Sequence, residues 1–141
     1  MRILALSEAN ILSFHSMAII AAAGKKGISA HRISDLTNCS RNHLFKVLET
    51  LIKAKYLYST RGPKGGYYLN KPADKIYLVD IFEALNGKID DDEICVGRNR
   101  HEDSFIFFQE LCHELAVKYL TYMRETKISD LEPKARFLLK D

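Results

Sequence analysis

Apolar positions recur at helical spacing over most of the chain. After Ser7 and Glu8, the residues Ile11, Leu12, Met17, Ile19 and Ile20 follow without a breaker until Gly24, and an oxygen cap before a first-turn acid marks a helix start. A first helix is expected over 7–23. Ser29 caps a second, two-turn helix over 30–37, with Ile33 and Leu36 three apart, and Asn38-Cys39 makes a tight connection to Ser40. Ser40 caps a third helix whose Leu44, Val47, Leu48 and Leu51 share one face. Three helices with a short turn before the last resemble a helix-turn-helix. Past Ala54 the period changes. Tyr56-Leu57-Tyr58 and Tyr67-Tyr68-Leu69 flank Arg61-Gly62-Pro63-Lys64-Gly65-Gly66, which predicts a hairpin with a charged, glycine-rich tip, the description of a wing. Leu78, Ile81, Phe82 and Leu85 predict a short helix stopped by Asn86-Gly87, and an acidic loop runs from Asp90 to Glu93. From about Asp103 to Thr126, Phe105, Phe108, Cys112, Leu115, Tyr119 and Tyr122 alternate steps of three and four, with Leu111 and Met123 widening the stripe. That is a long helix with a coiled-coil-like seam. The tail adds a short helix through Leu131, Phe137 and Leu138, its start limited by Pro133.

The fold class expected is therefore mainly α: a winged helix-turn-helix over residues 1–87, a sensor or connecting loop over 88–102, and a dimerisation helix with a C-terminal tail over 103–141. Composition agrees with a folded domain. Of 141 residues 47% are apolar and 28% charged, which excludes intrinsic disorder and leaves room for a self-sufficient core. Cys39, Cys95 and Cys112 are too few and too scattered for a secreted disulfide scaffold, and the first ten residues carry Arg2, Glu8 and Asn10 rather than a signal core. The longest apolar run, Met17 to Ala23, falls far short of a bilayer span of about 20 residues. A cytoplasmic protein without a membrane segment is expected. Charge is divided unevenly. Residues 1–71 hold eleven Lys/Arg against three acids, a net +8, whereas residues 72–141 hold ten against fifteen, a net −5. A basic front suggests a polyanionic partner.

The third helix gives its apolar positions to one face, so Arg41, Asn42, His43, Phe45 and Lys46 occupy the others. Arg41 is suited to guanine, Asn42 to adenine, and Lys46 or His43 to phosphate, at a helix end that itself attracts anions. Arg61, at the shoulder of the wing, suits a narrow minor groove. With Ser29 and Ser40 at the helix starts and Gly62, Lys64 and Gly65 in the wing, these residues form the expected DNA-binding set. Gly65-Gly66 lacks the strand-loop-helix setting and the following Lys-Ser/Thr of a nucleotide loop.

Ser40, Leu44, Val47, Leu48, Leu51 and Ala54, then Arg61-Gly62-Pro63-Lys64-Gly65-Gly66-Tyr67, then Ile76, Leu78, Asp80, Ile81 and Gly87 stand in an order that resembles the Rrf-two family of bacterial winged-helix regulators over about residues 1–127. The resemblance implies a homodimer joined through a long helix, and a repressor, or alternatively an activator, on a pseudo-palindromic double-stranded DNA operator is expected. Phe105, Phe108, Leu111, Leu115, Tyr119 and Tyr122 fit that interface. Many members hold an iron-sulfur cluster on three cysteines, and here the sequence departs: six residues beyond Cys95 stands His101, and eight beyond that Gln109. A rarer family arrangement combines two spaced cysteines with an acid and a histidine from the partner's first helix. For a two-iron two-sulfur cluster this implies Cys95 and Cys112 with Glu8 and His15, His101 competing for the histidine place. A thiol switch, a small-molecule effector, or no sensor within the chain are the alternatives, and Cys39 reads as structural or incidental.

Catalytic constellations are missing. Glu110 and His113 have di-iron spacing in one copy only, and no nucleophile elbow accompanies Ser, His and Asp. The chain is not expected to be an enzyme. The alternative to a DNA-binding regulator is a protein-interaction module of the same fold that binds a metabolic enzyme, a reading open to some family members.

Overall fold

A computed structural model describes residues 6–90 and 106–140, with side chains in the second stretch from residue 110 onward. In chain order the elements are α1 (Glu8–Ala23), α2 (Ala30–Thr37), α3 (Arg41–Lys53), β1 (Leu57–Thr60), β2 (Gly66–Leu69), α4 (Leu78–Asn86), α5 (Ile106–Glu125) and α6 (Ile128–Leu138), with 3-10 turns at Gly24–Lys26 and Ala73–Lys75. The two strands pair antiparallel, Leu57 opposite Leu69 and Thr60 opposite Gly66.

α1 is the central helix. Leu12, Met17, Ala18, Ile19, Ile20 and Ala21 are buried, and so are Asn10, Ser13 and Ser16, because a helix apolar on nearly every side must be surrounded. α2, α3, α4, α6 and β2 pack around it. The buried polar groups are largely matched: Ser13 Oγ donates to the Asn10 carbonyl at 2.7 Å, and Asn86 Nδ2 donates to Asn10 Oδ1 at 2.8 Å, tying the end of α4 to the first turn of α1. α3 contributes Leu44, Val47, Leu48 and Leu51 to the same core, the face that its period predicts.

The C-terminal segment differs from the expectation that Pro133 limits its helix. α6 runs from Ile128 through Pro133 to Leu138, and its packing on α1 is the most extensive between any two described elements. Two causes outweigh the proline. Asp130 accepts the Lys127 amide at 2.8 Å, and fully buried Ile128 is held by its amide to the Ile76 carbonyl at 2.8 Å while Leu78 donates back to Thr126 at 2.9 Å. Both anchors lie ahead of Pro133, which is exposed and removes one ladder bond in the second turn. Among the described side chains of α5, Leu120 and Met123 near its end are buried, whereas Leu111, Leu115, Val117 and Tyr122 are exposed. Tyr119 is half-buried, its hydroxyl enclosed without a hydrogen-bond partner among the described residues, and burial pushes its phenol above the ordinary value.

Candidate nucleic-acid interface

The α2–α3 connection is fixed by local hydrogen bonds. Ser29 Oγ accepts the Arg32 amide and Ser40 Oγ accepts the His43 amide, each at 3.2 Å, as side-chain oxygens at helix starts do. Between them Asn38 adopts a left-handed conformation, φ 51°, which asparagine tolerates better than most residues. The Cys39 amide donates to the Ser34 carbonyl at 3.3 Å, Ser34 Oγ donates to the Cys39 carbonyl at 2.8 Å, and Thr37 Oγ1 lies 3.0 Å from Cys39 Sγ. Cys39 is therefore part of the turn's hydrogen-bond frame, in keeping with a structural role. That frame sets the direction in which α3 leaves the turn.

With one face of α3 in the core, Arg41, Asn42, Phe45, Lys46 and Glu49 are exposed and His43 is half-buried. Arg41 Nη2 contacts His31 Nδ1 on α2, and His31 Nε2 lies 3.4 Å from Asp35 Oδ2. A neutral imidazole protonated at Nε2 satisfies both contacts, so His31 orients the arginine at the start of α3. The sequence did not disclose this contact, because nothing local relates His31 to Arg41. Phe45 stands out as a large apolar side chain left on the solvent side of α3. It is 47% exposed and lies one turn beyond Arg41 and Asn42 on the same side of α3. Its position off the apolar face is legible in the sequence.

The wing is tied down at its base. The Tyr67 amide donates to the Ile28 carbonyl at 2.8 Å, so β2 pairs with the α1–α2 connection as well as with β1. Tyr58 and Tyr68 stack with ring centroids 5.1 Å apart. At the tip Gly62 has φ +106°, open to glycine and to few other residues, and Gly65 sits where a Cβ would lie 2.5 Å from the Thr60 carbonyl oxygen. Arg61 and Lys64 are exposed there. Arg61, Lys64 and Lys46 make no ion pair among the described residues. Three such cations on α3 and the wing are what a phosphate backbone neutralises.

Of the expected metal ligands, Glu8 and His15 line one cleft of about 480 Å³ between α1 and the α2–α3 turn, together with Ile11, Leu12, Thr37, Asn38, Cys39, Ser40 and His43. Cys112 is half-buried on α5 and does not line it. Cys95, His101 and Phe105 lie outside the described residues, as does the side chain of Phe108. Among the described residues of one chain, no three His, Cys, Asp or Glu side chains converge as a metal site.

Comparison with known proteins agrees with this architecture. Residues 6–133 match the profile of the Rrf2 family, described as "Iron-dependent Transcriptional regulator". BadM of Rhodopseudomonas palustris, named as an HTH-type transcriptional regulator, is 34% identical over 76 residues, which are 54% of this chain and 49% of that protein. The match thus spans about half the length of that relative. Among solved structures, CymR (YrzC), the global cysteine regulator of B. subtilis, is 25% identical with a TM-score of 0.78 over 94% of this chain and 98% of that one. T. potens IscR is 19% identical with a TM-score of 0.69, over 98% and 93%, a likeness of fold. A capped recognition helix, a wing pinned to the core and a profile match over most of its length make this chain a member of the Rrf2 family of transcriptional regulators, with the winged-helix fold.

Proposed function

We propose that the protein is a cytoplasmic, sequence-specific DNA-binding repressor that acts as a homodimer on a pseudo-palindromic operator. The observation that carries this reading is a set of cations, Lys46 on α3 and Arg61 and Lys64 on the wing, that make no ion pair among the described residues and are presented by elements that local hydrogen bonds hold in place. In this reading Ser29, Ser40, Arg41, Asn42, His43, Lys46, Arg61, Gly62, Lys64 and Gly65 form the contact surface, and exposed Phe45 joins them. Arg41 and Asn42 read base edges, Lys46 and the start of α3 engage phosphate, and Arg61 enters a flanking minor groove.

Selection of binding sites from random duplexes, followed by gel shift, tests this. Arg61→Ala is expected to lower affinity by about tenfold, or about 1.4 kcal/mol, with the loss concentrated at A/T-rich steps flanking the site. Lys46→Ala is expected instead to flatten the dependence of affinity on salt by about 0.9 in log-log slope per subunit. Equal slopes in the two proteins would remove Lys46 from the phosphate contacts. A chain that retains no duplex at low salt but holds a metabolic enzyme would overturn the DNA reading in favour of the interaction module.

For the switch, the described donors do not converge in one chain, so we place the candidate two-iron two-sulfur cluster between subunits. Glu8 and His15 of one chain and Cys95 and Cys112 of the other would hold it, His101 competing for the histidine place. The fit rests on Glu8 and His15 opening into one cleft. A bound cluster supplies one-electron redox chemistry and a labile charge. The chain's own contribution is position. The same cleft is walled by Ser40 and His43, so whatever draws α1 toward the other subunit bears on the start of the reading helix. Anaerobically purified protein is expected to show visible absorption that Cys95→Ala abolishes. A colourless, iron-free protein after reconstitution would reject the cluster.

A further inference from the structure

A second concavity lies in the seam between α1 and α6 and adjoins the first at His15, which lines both. It has a volume of about 230 Å³ and is lined by Phe14, His15, Ala18 and Ile19 from α1 and by Leu131, Lys134, Ala135 and Leu138 from α6. Ala18, Ile19 and Ala135 are buried and form its floor, Phe14 and Leu131 are half-buried walls, and His15, Lys134 and Leu138 are exposed at its mouth. The gap arises because alanines from both helices line it where larger side chains would close it, at the most extensive helix pairing described. The pocket is open to solvent at its mouth, and its apolar floor is surface that a ligand would remove from water.

We propose that this cavity binds a small monocarboxylic acid with a compact apolar body, such as a phenylalkanoate. Its size suits such a molecule: a dry apolar cavity of about 150 Å³ takes up benzene, and the larger volume here leaves room for a short chain. The charge at the mouth selects the polar end. Lys134 makes no ion pair among the described residues. The acid one turn before it, Asp130, is turned to the Lys127 amide, and Glu132 pairs with Arg136 at 2.5 Å. The floor and walls offer only carbon, so the ligand's polar end meets the Lys134 ammonium, with the His15 imidazole beside it, at the rim of an apolar slot. A phosphate dianion would find neither an arginine fork nor a helix N-terminus there, since no arginine lines the pocket and its lining includes none of the first three residues of either helix.

This inference goes beyond the DNA reading and is tested without DNA. Titrating 3-phenylpropionate into the full-length protein, followed by calorimetry and by NMR shifts, should give saturable binding of one molecule per chain. Lys134→Met should weaken it about tenfold while leaving the affinity for neutral 3-phenylpropanamide unchanged. Leu138→Trp, at the exposed rim, and Ala135→Leu, on the floor, should each abolish binding of both probes; the rim variant keeps the test valid if the floor variant folds poorly. No saturation by about 10 mM probe, undiminished binding by Leu138→Trp, or equal carboxylate affinity in Lys134→Met would overturn the proposal, as would a cavity shown to be filled by a second copy of the chain.

Discussion

Gly66→Val is expected to lower the stability of the chain by about 2–3 kcal/mol, the upper part of the range for forcing volume into a packed site, and to bring its thermal transition down by about 6–12 °C. Gly66 is buried at the start of β2. A Cβ there would stand 2.8 Å from the Ile28 carbonyl oxygen and 3.0 Å from its carbon and nitrogen. These are backbone atoms and cannot rotate away. The crowded carbonyl is also the one that accepts the Tyr67 amide, so the substitution separates the wing from the α1–α2 connection, and Ile28 is itself a core residue. Gly62→Ala makes the contrast. Nothing lies within 4 Å of its Cβ position, and its φ of +106° is the sole obstacle, so strain of about 1–2 kcal/mol is expected, confined to the tip. Circular dichroism melts of the two variants separate the mechanisms. A Gly66→Val protein melting with the wild type would mean that the wing is not anchored at Ile28.

How far the sequence led can be judged from particular residues. The helix starts were legible because each is local: Ser7, Ser29 and Ser40 each cap through an amide three residues on. The buried face of α3 followed from its period, and the hairpin from its glycines. What escaped is long-range. The role of α6 depends on Ile128 reaching Ile76 and on α1 offering a receptive surface, and α1, apolar on most sides, gives no direction from which that surface could be deduced. The Ile28–Tyr67 bridge and the His31–Arg41 contact join residues whose spacing obeys no periodicity. The cleft that contains Glu8 and His15 exists because Thr37, Asn38, Cys39, Ser40 and His43 form its other wall, an arrangement made by packing rather than by any motif.

Leu115→Glu is expected to have the largest effect on function: a folded monomer whose operator affinity is lower by two orders of magnitude or more. Leu115 is 58% exposed on α5, and Leu111 and Tyr122 on the same stripe are exposed too, so Leu115 takes no part in the core that the described residues form. We attribute the stripe to a second copy of the chain, in line with the seam from Phe105 to Tyr122. A two-fold interface is self-complementary, so each substitution places a carboxylate in it twice. Loss of the pairing uncouples the two half-sites, and linked binding modules gain about 10²–10⁴ in affinity over single ones. Val117 supplies the control. It is also exposed but lies two residues from Leu115 and from Tyr119, off the stripe, so Val117→Glu should leave both the dimer and the affinity intact. Sedimentation and gel shift measured on the same preparations decide the matter. A Leu115→Glu protein that sediments as a dimer would move the subunit contact off this face of α5, and with it the geometry that spaces two recognition helices by about one turn of DNA.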